Sequence, residues 1–323
     1  MELNDILYDY YKSVLEPFFP RSGEISRYSG LGSSSNDIID DIKITTENTY
    51  DFFKESAFFI NKGTEIVHFT SLQNAISIIK DLKLRLYNIN SLEDPNEVKR
   101  ISDIITELQN DNNFNIDNEK ENFYVFCGSD YADIKNDKSA EFNMWRLYGN
   151  SGHGIGLVYK YDDDPNKIYK CFLSKVYYDT NSLFPQCLEN HRKFLKDKNC
   201  LIYGLDNVLV PLSLFYKDHI YKIENEIRIL KKMSRLQNRT NTIGFDFKNS
   251  RNVSYYELPF NSKTRGADPN LVLTKILIGY KYNINEKQEI ENMFNDINYL
   301  NERISFDIEQ TSLKDDYFSE RQF

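Results

Sequence analysis

The sequence predicts an α+β fold built on a split, strongly twisted mixed β-sheet with helices around it. Two patterns lead to this prediction. Short apolar or alternating runs typical of strands occur along most of the chain, and amphipathic helical stretches interrupt them irregularly. Strict alternation of strand and helix would favour a doubly wound parallel sheet, whereas irregular mixing favours an α+β arrangement.

Length and composition are those of an ordinary globular protein. The 323 residues can bury a substantial core, and 40% hydrophobic with 28% charged residues argue against disorder. No run approaches the roughly eighteen apolar residues that a membrane span needs, and the first residues lack a secretory pattern. The sequence therefore predicts a cytoplasmic protein that does not contact a membrane.

The net charge of −9 argues against a protein that binds nucleic acid by general attraction to phosphates. One modest basic cluster could still contact RNA if it were exposed beside the site, although a solvated face explains it as well. Its members are Lys231, Lys232, Arg235 and Arg239. The four cysteines show no Cys-x-x-Cys spacing, which indicates free buried thiols and no metal site.

Residues 1–60 are expected to form an N-terminal helical extension, and residues 61–323 the main domain. An apolar stripe at helical spacing supports the first helix. It comprises Leu3, Ile6, Leu7, Tyr10, Val14 and Leu15. Residues 30–35 indicate a loop, and a second helix is expected from about Asn36 into the Phe52-Phe53 region. The stripe either docks on the chain's own core or binds a partner such as an antitoxin or inhibitor protein.

The main domain begins with a predicted strand, turn and helix. Residues 65–69 form the strand, and Ser71 caps a helix whose apolar positions begin at Leu72. Residues 82–86 alternate as a second strand does, and a further helix is expected from Glu93-Asp94-Pro95. The apolar run 123–127 predicts a central strand.

The remaining elements follow from the same two periodicities. The predicted helices are 141–148, 183–198, 201–221 and 286–298. The predicted strands are 154–159, 224–230, 253–258, 271–279 and 304–308. The glycines at 152–156 precede a strand, whereas a dinucleotide-binding loop must open a helix.

Two glutamates in the strand predicted over 224–230 are candidates for chemistry. Glu224 and Glu226 are two residues apart, so both carboxylates project from one face, with Arg228 on the same polar face. This row could be a surface ladder of charges. Alternatively, a fixed carboxylate could hydrogen-bond a ribose hydroxyl and stabilise oxocarbenium-like charge while its neighbour tunes it.

Three other side chains are candidates for ligand contacts. His68 lies where the first strand of the main domain meets the helix start, as either a core histidine or a ligand contact. Trp145 and Tyr148 are three residues apart and share a helical face, so the tryptophan would anchor the face that presents the tyrosine. Packing alone could also explain that pair.

Five short motifs, taken in order, resemble a widespread bacterial family that is labelled a domain of unknown function. The family pattern is His-Tyr-Thr-Ser, Asn-Asp-Pro-x-Glu, Phe-Ser, Trp-x-x-Tyr and Glu-x-Glu-x-Arg, ending in an Ile-x-x-Gly strand. The matching segments here are residues 67–71, 92–97, 126–129, 144–148, 224–228 and 276–279. The resemblance covers about residues 64 to 310. Phe69, Glu93 and the inserted Gly128 depart from the pattern.

The order of histidine, tyrosine and glutamate is also similar to that of the diphtheria-toxin-like branch of ADP-ribosyltransferases. The resemblance implies a split sheet of ADP-ribosyltransferase type and NAD as co-substrate, without a metal. His68 would hold the adenosine ribose, Tyr148 would stack on nicotinamide, and Glu226 would stabilise the ribosyl cation. Thr70 or Ser71 would bind nearby, Glu224 would tune Glu226, and Trp145 would form a supporting wall.

The function expected from this resemblance is transfer of ADP-ribose from NAD to a protein or RNA, by a bacterial toxin or anti-phage defence effector. Two alternatives use the same fold. One is NAD hydrolysis without an acceptor, and the other is a non-catalytic module that senses NAD, a related nucleotide or a phage protein.

Overall fold

The fold is taken from a computed structural model. It describes residues 3–20, 29–35, 38–45, 53–54, 56–92, 121–162, 170–178, 183–199, 201–203, 206–233, 243–248, 251–261, 268–301 and 304–314. The helix expected from Glu93 lies outside these residues, as do Arg235 and Arg239 of the basic cluster.

The strands are numbered in chain order. They are β1 (Ser29–Ser35), β2 (Ile38–Thr45), β3 (Glu65–Ser71), β4 (Lys83–Asn88), β5 (Phe123–Asp130), β6 (Gly154–Tyr161), β7 (Phe172–Lys175), β8 (Tyr177–Tyr178), β9 (Leu201–Tyr203), β10 (Tyr216–Lys217), β11 (Glu226–Lys232), β12 (Ile243–Lys248), β13 (Arg251–Pro259), β14 (Leu271–Ile278) and β15 (Asp307–Gln310).

The α-helices are numbered in the same way. They are α1 (Leu3–Tyr10), α2 (Leu72–Asp81), α3 (Tyr131–Asn136), α4 (Lys138–Leu147), α5 (Leu183–Lys198), α6 (Asp206–Ser213) and α7 (Ile284–Asn301). A π-helical turn, Tyr11–Leu15, continues α1, and a 3-10 helix, His219–Glu224, precedes β11. Within the described ranges, no helix has both the length and the apolar character needed to cross a membrane.

One large mixed sheet organises the described part of the chain. Its strand order is β12-β13-β4-β5-β3-β6-β14-β15, and β11 pairs with both β5 and β7. Most pairs are antiparallel, but β14 and β15 run parallel. The expected α+β class with a mixed sheet is therefore confirmed.

The large sheet divides at β5. Along one edge, β11 pairs with β5 from Phe123 to Ser129. The other edge is shared: β4 pairs with β5 near Val125, and β3 pairs with it at Ser129 and Asp130. Because β3 and β4 each contact only one end of β5, they diverge from one another between these two short ladders, and the sheet opens there.

Alternation along β5 and β11 explains why both faces of this part of the sheet are covered. Phe123, Val125 and Leu230 belong to one apolar cluster, whereas Phe126 and Ile229 belong to another. Adjacent residues on a strand point to opposite faces, so the two clusters lie on opposite sides of the sheet. These strands are therefore fixed from both sides.

The apolar stripe of the N-terminal helix packs on the chain's own core. Ile6, Leu7, Tyr10, Val14 and Leu15 are all buried and belong to the cluster that contains Phe123 and Leu230 of the main sheet. Of the two alternatives for these five residues, docking on the core is the one observed. Their side chains are not available as a partner surface.

The rest of the N-terminal expectation is wrong in its local structure. The predicted loop over residues 30–35 is strand β1, and the predicted helix from Asn36 is replaced by β2, which pairs antiparallel with β1. β2 also pairs parallel with β9. The physical reason is the β-branched content of residues 38–44, which include four isoleucines and favour extended backbone.

Three later expectations also need correction. Residues 201–221 do not form one helix: β9, α6, β10 and the start of the 3-10 helix replace it, and Pro211 lies inside the short α6. The strand expected from Glu224 begins at Glu226, because Asn225 has a left-handed backbone with φ 43°. The last strand begins at Asp307 rather than at Ile304.

Candidate active site

A cleft of about 750 Å³ lies beside β5, where β3 and β4 diverge from one another. Six of the seven side chains that the sequence proposed for a site line this cleft. They are His68, Thr70, Ser71, Tyr148, Glu224 and Glu226. The volume falls within the range of about 300–1,000 Å³ that is usual for small-molecule sites. The structure therefore brings together residues that are up to 158 positions apart in the sequence.

Trp145 is the member that the structure places elsewhere. Its side chain is fully buried and contacts the ring of Phe69 edge-on at 4.8 Å between centroids. Its indole N–H donates to Glu141 at 3.4 Å. Trp145 does not line the cleft. Its position fits the supporting wall rather than a ligand contact, and Phe69 forms part of the same packing.

Glu226 begins strand β11 and is held by Arg228 on the same strand. The Arg228 Nε donates to Oε1 of Glu226 at 2.8 Å, and its Nη2 donates to Oε2 at 3.2 Å. The other guanidinium nitrogen, Nη1, donates to the Leu214 carbonyl at 2.7 Å. Glu226 is 5% exposed and Arg228 1%. The surface-ladder alternative is therefore wrong, because both charges are buried.

Burial acts to raise the pKa of the Glu226 carboxyl. The charges of Arg228 and Lys217 and the Arg228 hydrogen bonds outweigh burial, and together they lower this pKa to about 2. A carboxylic acid at this position is thus ionised throughout the physiological range. A carboxylate is the form that can stabilise positive charge on a ligand.

The lowered pKa of Glu226 predicts a specific pH dependence of stability. A carboxyl with a lower pKa in the folded state stabilises the fold above its ordinary pKa, and this contribution is lost as the pH falls through the folded value. We therefore expect part of the free energy of unfolding to disappear between about pH 4.5 and about pH 2. Urea denaturation of the intact protein and of Glu226→Gln over this range measures it. Equal pH dependence in the two proteins would contradict the assignment.

Glu224 is not on the strand but at the end of the preceding 3-10 helix. It lies in the cleft because the left-handed backbone of Asn225 turns the chain between the two glutamates. The Tyr148 hydroxyl donates to Oε1 of Glu224 at 2.9 Å. Burial and the neighbouring Glu224 carboxylate raise the pKa of Tyr148, so its hydroxyl remains a protonated donor.

Tyr148 connects the end of α4 to the carboxylates. Its backbone N–H donates to Met144, which ends the helix, and the next residue is Gly149. The side chain is held at its hydroxyl by Glu224, while the residue remains 45% exposed. An aromatic ring that is fixed at its hydroxyl and partly exposed suits stacking on a planar ligand.

His68 occupies the opening between the two ladders on β5. Its Nδ1 lies 3.2 Å from the carbonyl oxygen of Cys127, and because that oxygen can only accept, the ring nitrogen must be the donor. This contact leaves Nε2 in its acceptor form when the ring is neutral. The ring also packs 5.0 Å from that of Phe126. His68 is therefore an oriented side chain of the cleft wall rather than a core histidine.

Thr70 and Ser71 lie at the junction of β3 and α2. The Ser71 hydroxyl accepts from the Asn74 backbone N–H at 3.2 Å and so caps α2, as the sequence predicted. Thr70 is buried at the cleft edge. Gly128, the inserted residue, lies against β3: a Cβ atom there would be 2.5 Å from Ile66 Cγ2. Glycine thus permits the close approach of β5 to β3.

Lys217 is the site residue that the sequence did not reveal. Its ammonium donates to Oε2 of Glu224 at 2.6 Å and to Oε2 of Glu226 at 3.0 Å. The lysine is on β10, a two-residue strand that pairs with β8. The available signal was weak: Lys217 follows Phe215 and Tyr216 in an aromatic run, where a buried cation needs a partner.

The two described members of the basic cluster, Lys231 and Lys232, do not form the exposed patch that would favour nucleic acid. Lys231 is 8% exposed, and its ammonium lies 2.6 Å from Asp268 Oδ1. Lys232 lies over the ring of Phe123 at 5.4 Å. The alternative of a solvated face does not hold for Lys231 either, because this residue is buried in an ion pair.

Comparisons of the chain with protein-family models, with curated proteins and with solved structures find no match.

Proposed function

We propose that the chain cleaves the bond between nicotinamide and ribose in NAD and transfers ADP-ribose to a macromolecule. The observation that supports this most directly is that His68, Tyr148 and Glu226 line one cleft. Separation of the three onto different surfaces would have excluded the proposal. The resemblance of the short motifs to ADP-ribosyltransferases supplies the reaction class.

The side chains in the cleft suit the polar groups of NAD. Ribose hydroxyls need acceptors, and the cleft offers the carboxylates of Glu224 and Glu226 together with the imidazole ring of His68. The partly exposed ring of Tyr148 provides a surface for the nicotinamide ring. The volume of about 750 Å³ lies in the upper part of the range for small-molecule sites, as a dinucleotide requires.

The proposed reaction needs little acid–base chemistry at the leaving group. When the bond between ribose C1′ and the ring nitrogen breaks, nicotinamide keeps the electron pair and leaves as a neutral molecule. The ribose carbon bears the developing positive charge, which the Glu226 carboxylate stabilises electrostatically. An acceptor nucleophile then bonds to C1′ and loses a proton. With water as the acceptor, the same residues perform hydrolysis.

The biological role that we propose is that of a bacterial toxin or anti-phage effector controlled by a partner protein. The acceptor is a protein or an RNA. Because the five described residues of the N-terminal apolar stripe are buried, such a partner would bind another surface.

Histidine substitution tests the proposed function with a matched control. We expect His68→Ala to reduce transfer of label from adenine-labelled NAD to macromolecules in a cell extract by about tenfold or more, because a good hydrogen bond to a ligand is worth about 1.4 kcal/mol. His153→Ala is the control, since His153 is exposed and outside the cleft. Equal losses in both variants, or in neither, would contradict the role of His68. Nicotinamide release without labelled macromolecules would identify hydrolysis instead.

A further inference from the structure

The two carboxylates of the cleft share one buried cation. Lys217 Nζ is 2.6 Å from Glu224 and 3.0 Å from Glu226, and the three side chains are 10%, 8% and 6% exposed. The Tyr221 ring lies below the same ammonium, 4.6 Å from ring centroid to nitrogen. A buried lysine is costly to desolvate, and the two carboxylates that contact it offset this cost.

The other groups facing the pair come from every neighbouring element. Arg228 of β11 holds both oxygens of Glu226, and the Cys127 thiol of β5 contacts that carboxylate as well. The Tyr178 hydroxyl of β8 accepts from the backbone N–H of Glu226. Glu224 receives the hydroxyl of Tyr148 at the end of α4, which is a neutral donor. Lys217 therefore brings positive charge to both carboxylates, and Arg228 adds a second positive charge at Glu226.

Removing this shared cation would change the ionisation of the pair. Two carboxylates that contact the same nitrogen are close enough to repel one another, and in a buried site such a pair binds one proton at a raised pH. A bridging ammonium offsets the repulsion, so both acids stay charged and at a fixed separation.

We propose that Lys217 is a positioning residue that holds Glu224 and Glu226 side by side and ionised, and thereby sets the acidic limit of the reaction. Its effect on the reaction rests on the proposed function, whereas its effect on the carboxylates does not. Lys217 acts through the two glutamates and takes no part in bond breaking.

The pH profile of nicotinamide release from NAD tests this role. We compare kcat/KM from pH 4.5 to pH 8 for the intact protein, Lys217→Arg and Lys217→Gln. The Glu226 carboxyl of the intact protein has a pKa of about 2, so this group should cause no loss of activity within the range. Lys217→Gln should instead lose kcat/KM towards pH 4.5 as the pair of carboxylates binds a proton, with a fall in kcat larger than the change in KM. Lys217→Arg, which keeps the charge, should retain the profile of the intact protein. A profile of Lys217→Gln that has the same shape as that of the intact protein would overturn the proposal.

A double variant separates positioning from a simple structural role. In Lys217→Gln with Glu224→Gln, a single carboxylate remains beside Arg228, so the pH profile should return towards that of the intact protein. If Lys217 only supports the local structure, the double variant will keep the loss of activity at low pH or lose more activity. That result would contradict the proposal.

Urea denaturation without NAD tests the same contact independently of any activity. Lys217→Gln should lower the urea midpoint of unfolding relative to the intact protein, and this decrease should be larger at pH 7.5 than at pH 5. Adding Glu224→Gln should reverse much of the decrease at pH 7.5. If the intact protein releases no nicotinamide, the proposed function fails while this experiment still decides the role of Lys217. Equal effects of Lys217→Gln at the two pH values would overturn the inference.

Discussion

Replacing Arg228 with methionine is expected to lower the free energy of unfolding by about 3–5 kcal/mol. The guanidinium is 1% exposed, makes two hydrogen bonds to Glu226 and donates a third to the Leu214 carbonyl. Methionine fills similar space but leaves a buried carboxylate that has lost one of its two cations. Because domains are stable by only about 5–15 kcal/mol, urea denaturation will show a large shift of the midpoint.

An exposed pair provides the matched control for Arg228→Met. Lys83 and Glu257 also form an ion pair, but their side chains are 46% and 36% exposed. Lys83→Met should therefore change the free energy of unfolding by less than about 1 kcal/mol. Similar effects of the two substitutions would contradict the conclusion that the Arg228 pair is a buried structural contact.

The largest expected effect on activity follows from Glu226→Gln. An amide cannot offset positive charge on a ribose carbon, so we expect nicotinamide release to fall by about 10²- to 10³-fold, the range found when one electrostatic contact to a transition state is removed. The variant also leaves Arg228 without its carboxylate, so circular dichroism must first show that it is folded at the assay temperature. Activity within a factor of a few of the intact protein would refute the assigned role.

Glu224→Gln is the appropriate comparison for the variant at Glu226. Glu224 contacts Tyr148 and Lys217, and these contacts suit a residue that orients its neighbours. Its replacement should reduce nicotinamide release less than Glu226→Gln does. A larger loss in Glu224→Gln would exchange the roles of the two acids.

Much of the fold that forms the cleft was predictable because its elements have strong local patterns. The β3 strand with its Ser71 cap, the apolar run of β5 and the helix ending near Tyr148 were each expected from periodicity. The N-terminal hairpin was not. Its residues contain glycines and isoleucines without a clear period, and β2 also pairs with β9, a contact distant in sequence.

In the candidate site, too, residues within local sequence motifs were predictable, whereas residues placed by the tertiary fold were not. The ordered motifs identified His68, Tyr148 and Glu226, and the structure places them in one cleft. Lys217 could not be predicted because its partners depend on a left-handed turn at Asn225 that no local sequence pattern indicates. Placing Glu224 on a strand likewise gave no indication that the charged groups of Lys217, Glu226 and Arg228 are buried with it.

The most direct test of the proposed reaction is the rate of nicotinamide release from NAD by the purified protein, with and without cell extract. The proposal predicts that the intact protein releases nicotinamide and that the rate of release is lower by about 10²-fold or more in Glu226→Gln. Equal rates of nicotinamide release by the two proteins would contradict the assignment of this cleft as an NAD-cleaving site. The absence of release by both proteins, with and without cell extract, would contradict it as well.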